Sequence, residues 1–153
     1  MAYPDTHRTA NPYGEKQGDL VALGLLASTV VYKGDVVRSQ GSSATARTYC
    51  TSGAAVADYD QFAGVAIESI TAGAVSGVDK VRAKRRGIFP FYKTSPAYTD
   101  IGAPAFTDTA TDPQTVVTTT TTHSCEIGTI VGFDATLGIV WVDINIFTAK
   151  VAA

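Results

Sequence analysis

The sequence predicts an all-β protein, a small antiparallel β-barrel or β-sandwich behind an extended N-terminal arm, and three observations carry that reading. Short runs rich in β-branched and aromatic residues recur along the chain with turn residues between them. The last run alternates: Val140, Val142, Ile144 and Ile146 fall on one side, Trp141, Asp143 and Asn145 on the other, the period of a strand with one face in a core. No capped amphipathic stretch of about twelve residues or more shows helical periodicity.

Residues 1–19 are polar and contain Pro4 and Pro12, which interrupt any helical pattern, so they read as the arm, with Tyr3 and Tyr13 as isolated aromatic anchors. Residues 20–153 read as a single β domain. The most apolar segment, Leu20 to Val31, is too short to cross a membrane and contains Gly24, Ser28 and Thr29, so it is assigned to the core. Strands are expected at Leu25–Tyr32, Asp35–Ser39, Ala46–Thr51, Phe62–Ile70 and Val78–Tyr92, then at Ala103–Thr107, Thr115–Thr122, Ile127–Phe133 and Ile139–Phe147. Lys33-Gly34-Asp35, Gly41-Ser42-Ser43, Thr71-Ala72-Gly73 and Thr136-Leu137-Gly138 supply turn chemistry between them. Phe89-Pro90-Phe91 puts a proline inside an apolar run, which belongs at a sheet edge or a bulge because a central strand would lose a ladder bond. The run Thr118–Thr122 has no apolar alternation and fits an exposed edge strand or surface loop. Trp141, on the polar side of its strand, is expected to be shielded by a loop or a partner chain.

Of 153 residues, 45% are apolar and 17% charged, against about 25% charged in an average globular chain. That apolar content excludes disorder along the whole chain. A net charge of −2 excludes a generally basic nucleic-acid binder. The N-terminus lacks the basic start and apolar run of a secretory signal, so synthesis in the cytoplasm is expected. Two cysteines, Cys50 and Cys125, do not make a disulfide framework, and whether they pair is left open.

Catalytic patterns are weak throughout. There is no nucleophile elbow, since Gly73-Ala74-Val75-Ser76-Gly77 has the wrong spacing, and no phosphate-cradling glycine loop ending in Gly-Lys-Ser/Thr. His123-Ser124-Cys125 offers two soft ligands, but a closed zinc site needs four, and recruiting Cys50 and His7 would use every Cys and His in the chain. Asp58 and Asp60, and Asp108 and Asp112, lie among small and polar residues and read as solvated loop carboxylates. The expectation is no catalytic residue, no metal and no cofactor.

One charge feature stands out: Lys80, Arg82, Lys84, Arg85 and Arg86 place five of the twelve basic residues within seven positions. On one continuous strand, Lys80, Arg82, Lys84 and Arg86 would share a face, with Val81 and Ala83 behind them. Two uses are open: a solvated edge strand kept from unwanted pairing, or a docking strip for an acidic protein surface. Nucleic acid is the weaker use, because no aromatic platform is interleaved with the cations.

Taken in order, several local patterns resemble the small head-decoration, or cement, proteins of tailed bacteriophages. They are Val31-Tyr32-Lys33-Gly34-Asp35-Val36-Val37, Phe62-Ala63-Gly64-Val65-Ala66, the stretch from Val81 into Arg86-Gly87-Ile88-Phe89, and Ile101-Gly102-Ala103-Pro104-Ala105-Phe106. Ile127-Gly128-Thr129-Ile130-Val131-Gly132 and Gly138-Ile139-Val140-Trp141-Val142-Asp143 complete the series. The resemblance spans roughly residues 30 to 146; residues 1–19 and the Thr-rich stretch from Thr107 to Ser124 depart from it. It implies a non-enzymatic β-protein, commonly a homotrimer, that binds the major capsid protein on the outside of the head and stiffens the shell, with neither nucleic acid nor membrane as partner. The residues expected to touch the capsid are Tyr3, Arg8 and Tyr13 of the arm and Lys80, Arg82, Lys84 and Arg86 of the strip. The rival readings are a carbohydrate-binding or host-adhesion β-sandwich, using Tyr59, Tyr92 or Tyr98, and a small β-fold hydrolase using Asp58, Asp60 or Asp108.

Overall fold

The computed structural model describes residues 20–41, 47–52, 60–107, 113–120 and 125–145. The first five-stranded sheet contains β1 (Leu20–Gly24), β3 (Val36–Gly41), β4 (Arg47–Ser52), β5 (Gln61–Ala66) and β7 (Lys80–Lys84), in the order β1-β7-β5-β3-β4. β2 (Val30–Val31) and β6 (Ile70–Thr71) pair as a small separate ribbon. The second sheet contains β8 (Arg86–Tyr92), β9 (Pro104–Thr107), β10 (Val116–Val117), β11 (Glu126–Asp134) and β12 (Ile139–Asn145), in the order β10-β9-β11-β12-β8. Every strand ladder is antiparallel, and the only helical element among the described residues is a 3-10 turn at Tyr98–Asp100. The all-β class is as expected, in its sandwich form.

Neither sheet closes into a barrel, but both curl strongly. In the first, Leu25, just past β1, bridges Cys50 of β4, so the two outer strands meet at one point. In the second, Tyr92 at the end of β8 bridges Thr115 just before β10. A bulge in β5 helps the first sheet bend: Gly64 has φ +155°, and a Cβ there would lie 2.8 Å from the Lys84 carbonyl oxygen.

Alternation along the first sheet sends side chains into two cores. Val36, Phe62 and Val65 face the second sheet and pack with Phe91, Ile127, Ile130, Val140, Val142 and Ile144. Val37, Ala66 and Val81, one position away, face the concave side with Leu25, Cys50 and Val31. Val36-Val37 on β3 and Val65-Ala66 on β5 thus bury consecutive residues on opposite faces, whereas β7 alternates buried Val81 and Ala83 with exposed Lys80 and Arg82. Cys50 and Cys125 are buried in different cores, so they do not form a disulfide with each other. Burial pushes the Cys50 thiol up to about 11, because thiolate charge is poorly solvated there.

Two expected single strands are divided and a third is shortened. Phe62–Ile70 splits into β5 and β6, and of Thr115–Thr122 the described residues 115–120 contain only the two-residue β10, beyond which Thr119 and Thr120 are exposed. Val78–Tyr92 breaks at Arg85, where the chain leaves the first sheet as β7 and enters the second as β8. β1 was not anticipated as a separate strand; the segment after it turns through Ser28, at φ +60°, before β2.

Pro90 lies on an edge strand as expected, and the register explains why it is tolerated. β8 pairs only with β12, in antiparallel register from Tyr92 opposite Ile139 to Arg86 opposite Asn145. Lys93 donates its N–H to Gly138, on the β12 side, whereas Tyr92 donates to Gln114, on the other side. By alternation, the backbone groups of Ile88 and Pro90 point away from β12, so the missing N–H of Pro90 falls where no ladder bond is made.

Candidate functional site

The outer face of the second sheet is built by residues that alternate with the core. Directly paired residues share a face, so the inward positions Val140, Val142 and Ile144 fix Ile139, Trp141 and Asp143 as outward. Their partners on β8 are Tyr92, Pro90 and Ile88, and on β11 Asp134, Gly132 and Thr129. Trp141 therefore lies between Pro90 on one side and Gly132 on the other. A Cβ at Gly132 would meet Trp141 Cδ1 at 3.6 Å, an ordinary packing distance, so the indole lies close over this position.

This face is apolar and open. Ile88 is 57% exposed, Tyr92 55% and Trp141 39%, and Val131, at the bulge in β11, is 44% exposed. Such residues more often go inside, and here they group across adjacent strands of one outer face. Trp141 is flanked by the cross-strand Pro90 and Gly132 and stays partly exposed. The face also carries charge: exposed Asp143 lies directly opposite Ile88, with exposed Arg86 at the start of β8 and Asp134 at the end of β11.

The basic strip is not one face. Lys80, Arg82 and Lys84 alternate with buried Val81 and Ala83 on β7, but Arg86 opens β8 in the other sheet, because the strand breaks at Arg85. β7 is also not an edge strand: β1 covers it from Leu20 opposite Lys84 to Gly24 opposite Lys80. Arg82 is held by Glu68, whose Oε1 accepts the Arg82 backbone N–H at 2.9 Å while Oε2 accepts Nε and Nη2 at 3.1 and 3.0 Å. These backbone and side-chain bonds from Arg82 keep the Glu68 carboxyl below the usual carboxylate range. Arg82 thus joins β7 to the segment after β5, and the strip keeps Lys80 and Lys84 as neighbours on one strand.

Asp60 is not a solvated loop carboxylate. It is buried and accepts a 2.5 Å bond from Arg38 Nη1, with the Gly41 N–H on its other oxygen at 3.1 Å. That makes it a structural ion pair beside Cys125, whose thiol lies 3.9 Å from the Asp60 carbonyl oxygen. Tyr98, named for a sugar platform, is 83% exposed and makes an edge-on contact with Phe133, ring centroids 5.0 Å apart. Tyr3, Arg8, Tyr13, His7, Asp58, Tyr59, Asp108, Asp112 and His123 lie outside the described residues. Among the described residues no three of His, Cys, Asp and Glu gather as metal ligands, and no helix is long and apolar enough to cross a membrane.

Sequence reasoning marked Trp141 as an apolar residue on a polar side, but it did not find the face around it. The signal was present: Ile88, Pro90 and Tyr92 share one parity on a run that also buries Phe91. Recognising it required knowing that β8 lies beside β12. No protein-family model matches this chain, and no curated protein is significantly similar to it.

Proposed function

We propose that the protein is a non-enzymatic capsid decoration protein that docks on the outer surface of a phage head, binds the major capsid protein, and stiffens the shell by cross-linking its subunits. The observation that supports this best is the open apolar face of the second sheet around Trp141, Ile88 and Tyr92. Exposed aromatic and aliphatic groups are enriched at protein interfaces, and Asp143 among them gives the face a charge for a partner to pair. A rigid sandwich suits a cross-linker: separating two shell subunits must then also break its contacts, and many copies make the effect collective. The motif order from Val31 to Asp143 supports the same reading, and that resemblance favours a homotrimer.

This reading moves the main contact from the basic strip to the sheet face. Lys80 and Lys84 remain as a secondary contact to acidic groups, while Arg82 is already engaged by Glu68. The test is co-sedimentation of the purified protein with empty phage heads, followed by measurement of their disruption temperature. The expected result is saturable binding and a raised temperature; protein that stays in the supernatant at saturating concentration overturns the reading.

A second reading is favoured by one observation. Tyr92 and Trp141 occupy diagonal positions on neighbouring strands of the same outer face, within the span over which a sugar ring can stack. Glycan-array binding abolished by Trp141→Ala, with no affinity for heads, would select the carbohydrate-binding module instead.

A further inference from the structure

A cavity of about 470 Å³ opens beside the edge of β8 that faces away from β12, next to the point where Tyr92 bonds Gln114, and reaches the end of β5. Its wall is apolar: Val65, Ala66 and Ile67 from the first sheet and its exit, with Phe89, Phe91 and Ile139 from the second. Two long polar side chains line it. Gln114 is fixed, its Nε2 donating to the buried Asp35 carboxylate at 2.8 Å. Lys33 is exposed, is the one charged residue in the lining, and has no carboxylate partner among the described residues.

The wall excludes several occupants. A volume of this size takes an aromatic or branched aliphatic group with room to spare, but an unpaired polar group would lose its water there without replacement. A cation would meet Lys33 and no opposing carboxylate in the lining. An anion placed near Lys33, with its apolar portion inside, meets both requirements. The approach is that of an extended chain, because the cavity borders β8 on the side where the Ile88 and Pro90 carbonyls point outward. Pro90, Tyr92 and Ile139 line the cavity and also belong to the outer face, so a protein covering that face reaches the cavity without a break.

We propose that this cavity receives an aromatic or large aliphatic side chain from an extended segment of the partner protein, with an acidic residue of that segment paired to Lys33. The inference rests on the reading that a protein covers the outer face, and it adds the chemistry of the partner segment. Pro90 limits the added strand to a short contact, so selectivity comes from the anchor and its neighbouring acid and not from a long backbone ladder.

The test uses two blocked pentapeptides, Ala-Tyr-Ala-Glu-Ala and Ala-Tyr-Ala-Lys-Ala, titrated into the full chain while methyl NMR signals are followed. The expected result is saturable shifts at Val65, Ile67 and Ile139, with the acidic peptide binding about fivefold more tightly than the basic one. Lys33→Glu reverses that order, and Lys33→Ala removes the difference. Because Lys33 is exposed, the unliganded methyl spectrum of each variant is expected to match the parent and serves as the folding control. Absence of shifts at these methyls, equal affinity for the two peptides, or an unchanged order in Lys33→Glu overturns the proposal. Shell co-sedimentation is a separate readout, so failure here with heads still bound discards the cavity alone.

Discussion

At the scale of single residues, close approach and burial decide what the sequence tolerates. Gly128 is an example: a Cβ there would lie 2.1 Å from the Asp143 carbonyl oxygen, so β11 and β12 must separate to admit any side chain. Gly128→Ala is expected to destabilise the fold by about 2–3 kcal/mol in urea titration, at the upper end of ordinary overpacking. Asp60→Ala leaves Arg38 charged and buried without its carboxylate, with an expected loss of about 3–5 kcal/mol. The pair Arg38→Met with Asp60→Leu is expected to recover much of that loss, because it removes the charge along with its partner. Cys50 makes a pH prediction. Its folded pKa is raised from 9.0 to about 11, so the unfolded thiol ionises first and stability falls as pH rises from 9 to 11. The fall amounts to about 2–3 kcal/mol and is absent from Cys50→Ala, measured as the difference between the two denaturation series. Glu68 has the opposite sign: its folded pKa is lowered, so its contribution is present above the ordinary carboxylate pKa and is lost as pH falls through the folded value.

At the scale of elements, legibility followed the number of faces a strand buries. β12 was read from sequence because one face is apolar and the other carries Trp141 and Asp143, an alternation that fixes strand and register together. β7 and β8 merged into one run because β7 buries Val81 and Ala83, β8 buries Phe91, and the break at Arg85 carries no proline or glycine of its own. The chain crosses between sheets there, a tertiary event that local residue types do not announce, and so Arg86 was grouped with lysines on the other sheet. Asp60 was misjudged for a related reason: its partner Arg38 sits 22 residues away, on β3. Pro90 was legible because a missing N–H has only a few places to go. Its position on the outward side of β8 also withholds a donor from any strand that would extend the sheet. Pro90→Val is expected to leave stability within about 1 kcal/mol while increasing concentration-dependent self-association in sedimentation velocity.

At the scale of the whole molecule, two curled sheets share one core while the first also closes around a second. That leaves the outer surface of the second sheet as an apolar face with no layer over it among the described residues. The low charge content of the chain fits this arrangement, since a face that meets a protein lattice would have to pair any charge it buried. Composition indicated that the surface is poor in charge; only the pairing of β8 with β12 locates where its apolar side chains gather. The central claim is that this face, not the basic strip, carries docking. The direct measurement is co-sedimentation with empty phage heads of the parent chain, an Ile88→Glu/Trp141→Glu variant and a Lys80→Glu/Lys84→Glu variant, at low and high salt. The account predicts that the face variant loses binding at both salts, while the strip variant keeps most of it and differs from the parent only at low salt. Full binding by the face variant, or complete loss in the strip variant alone, would contradict it.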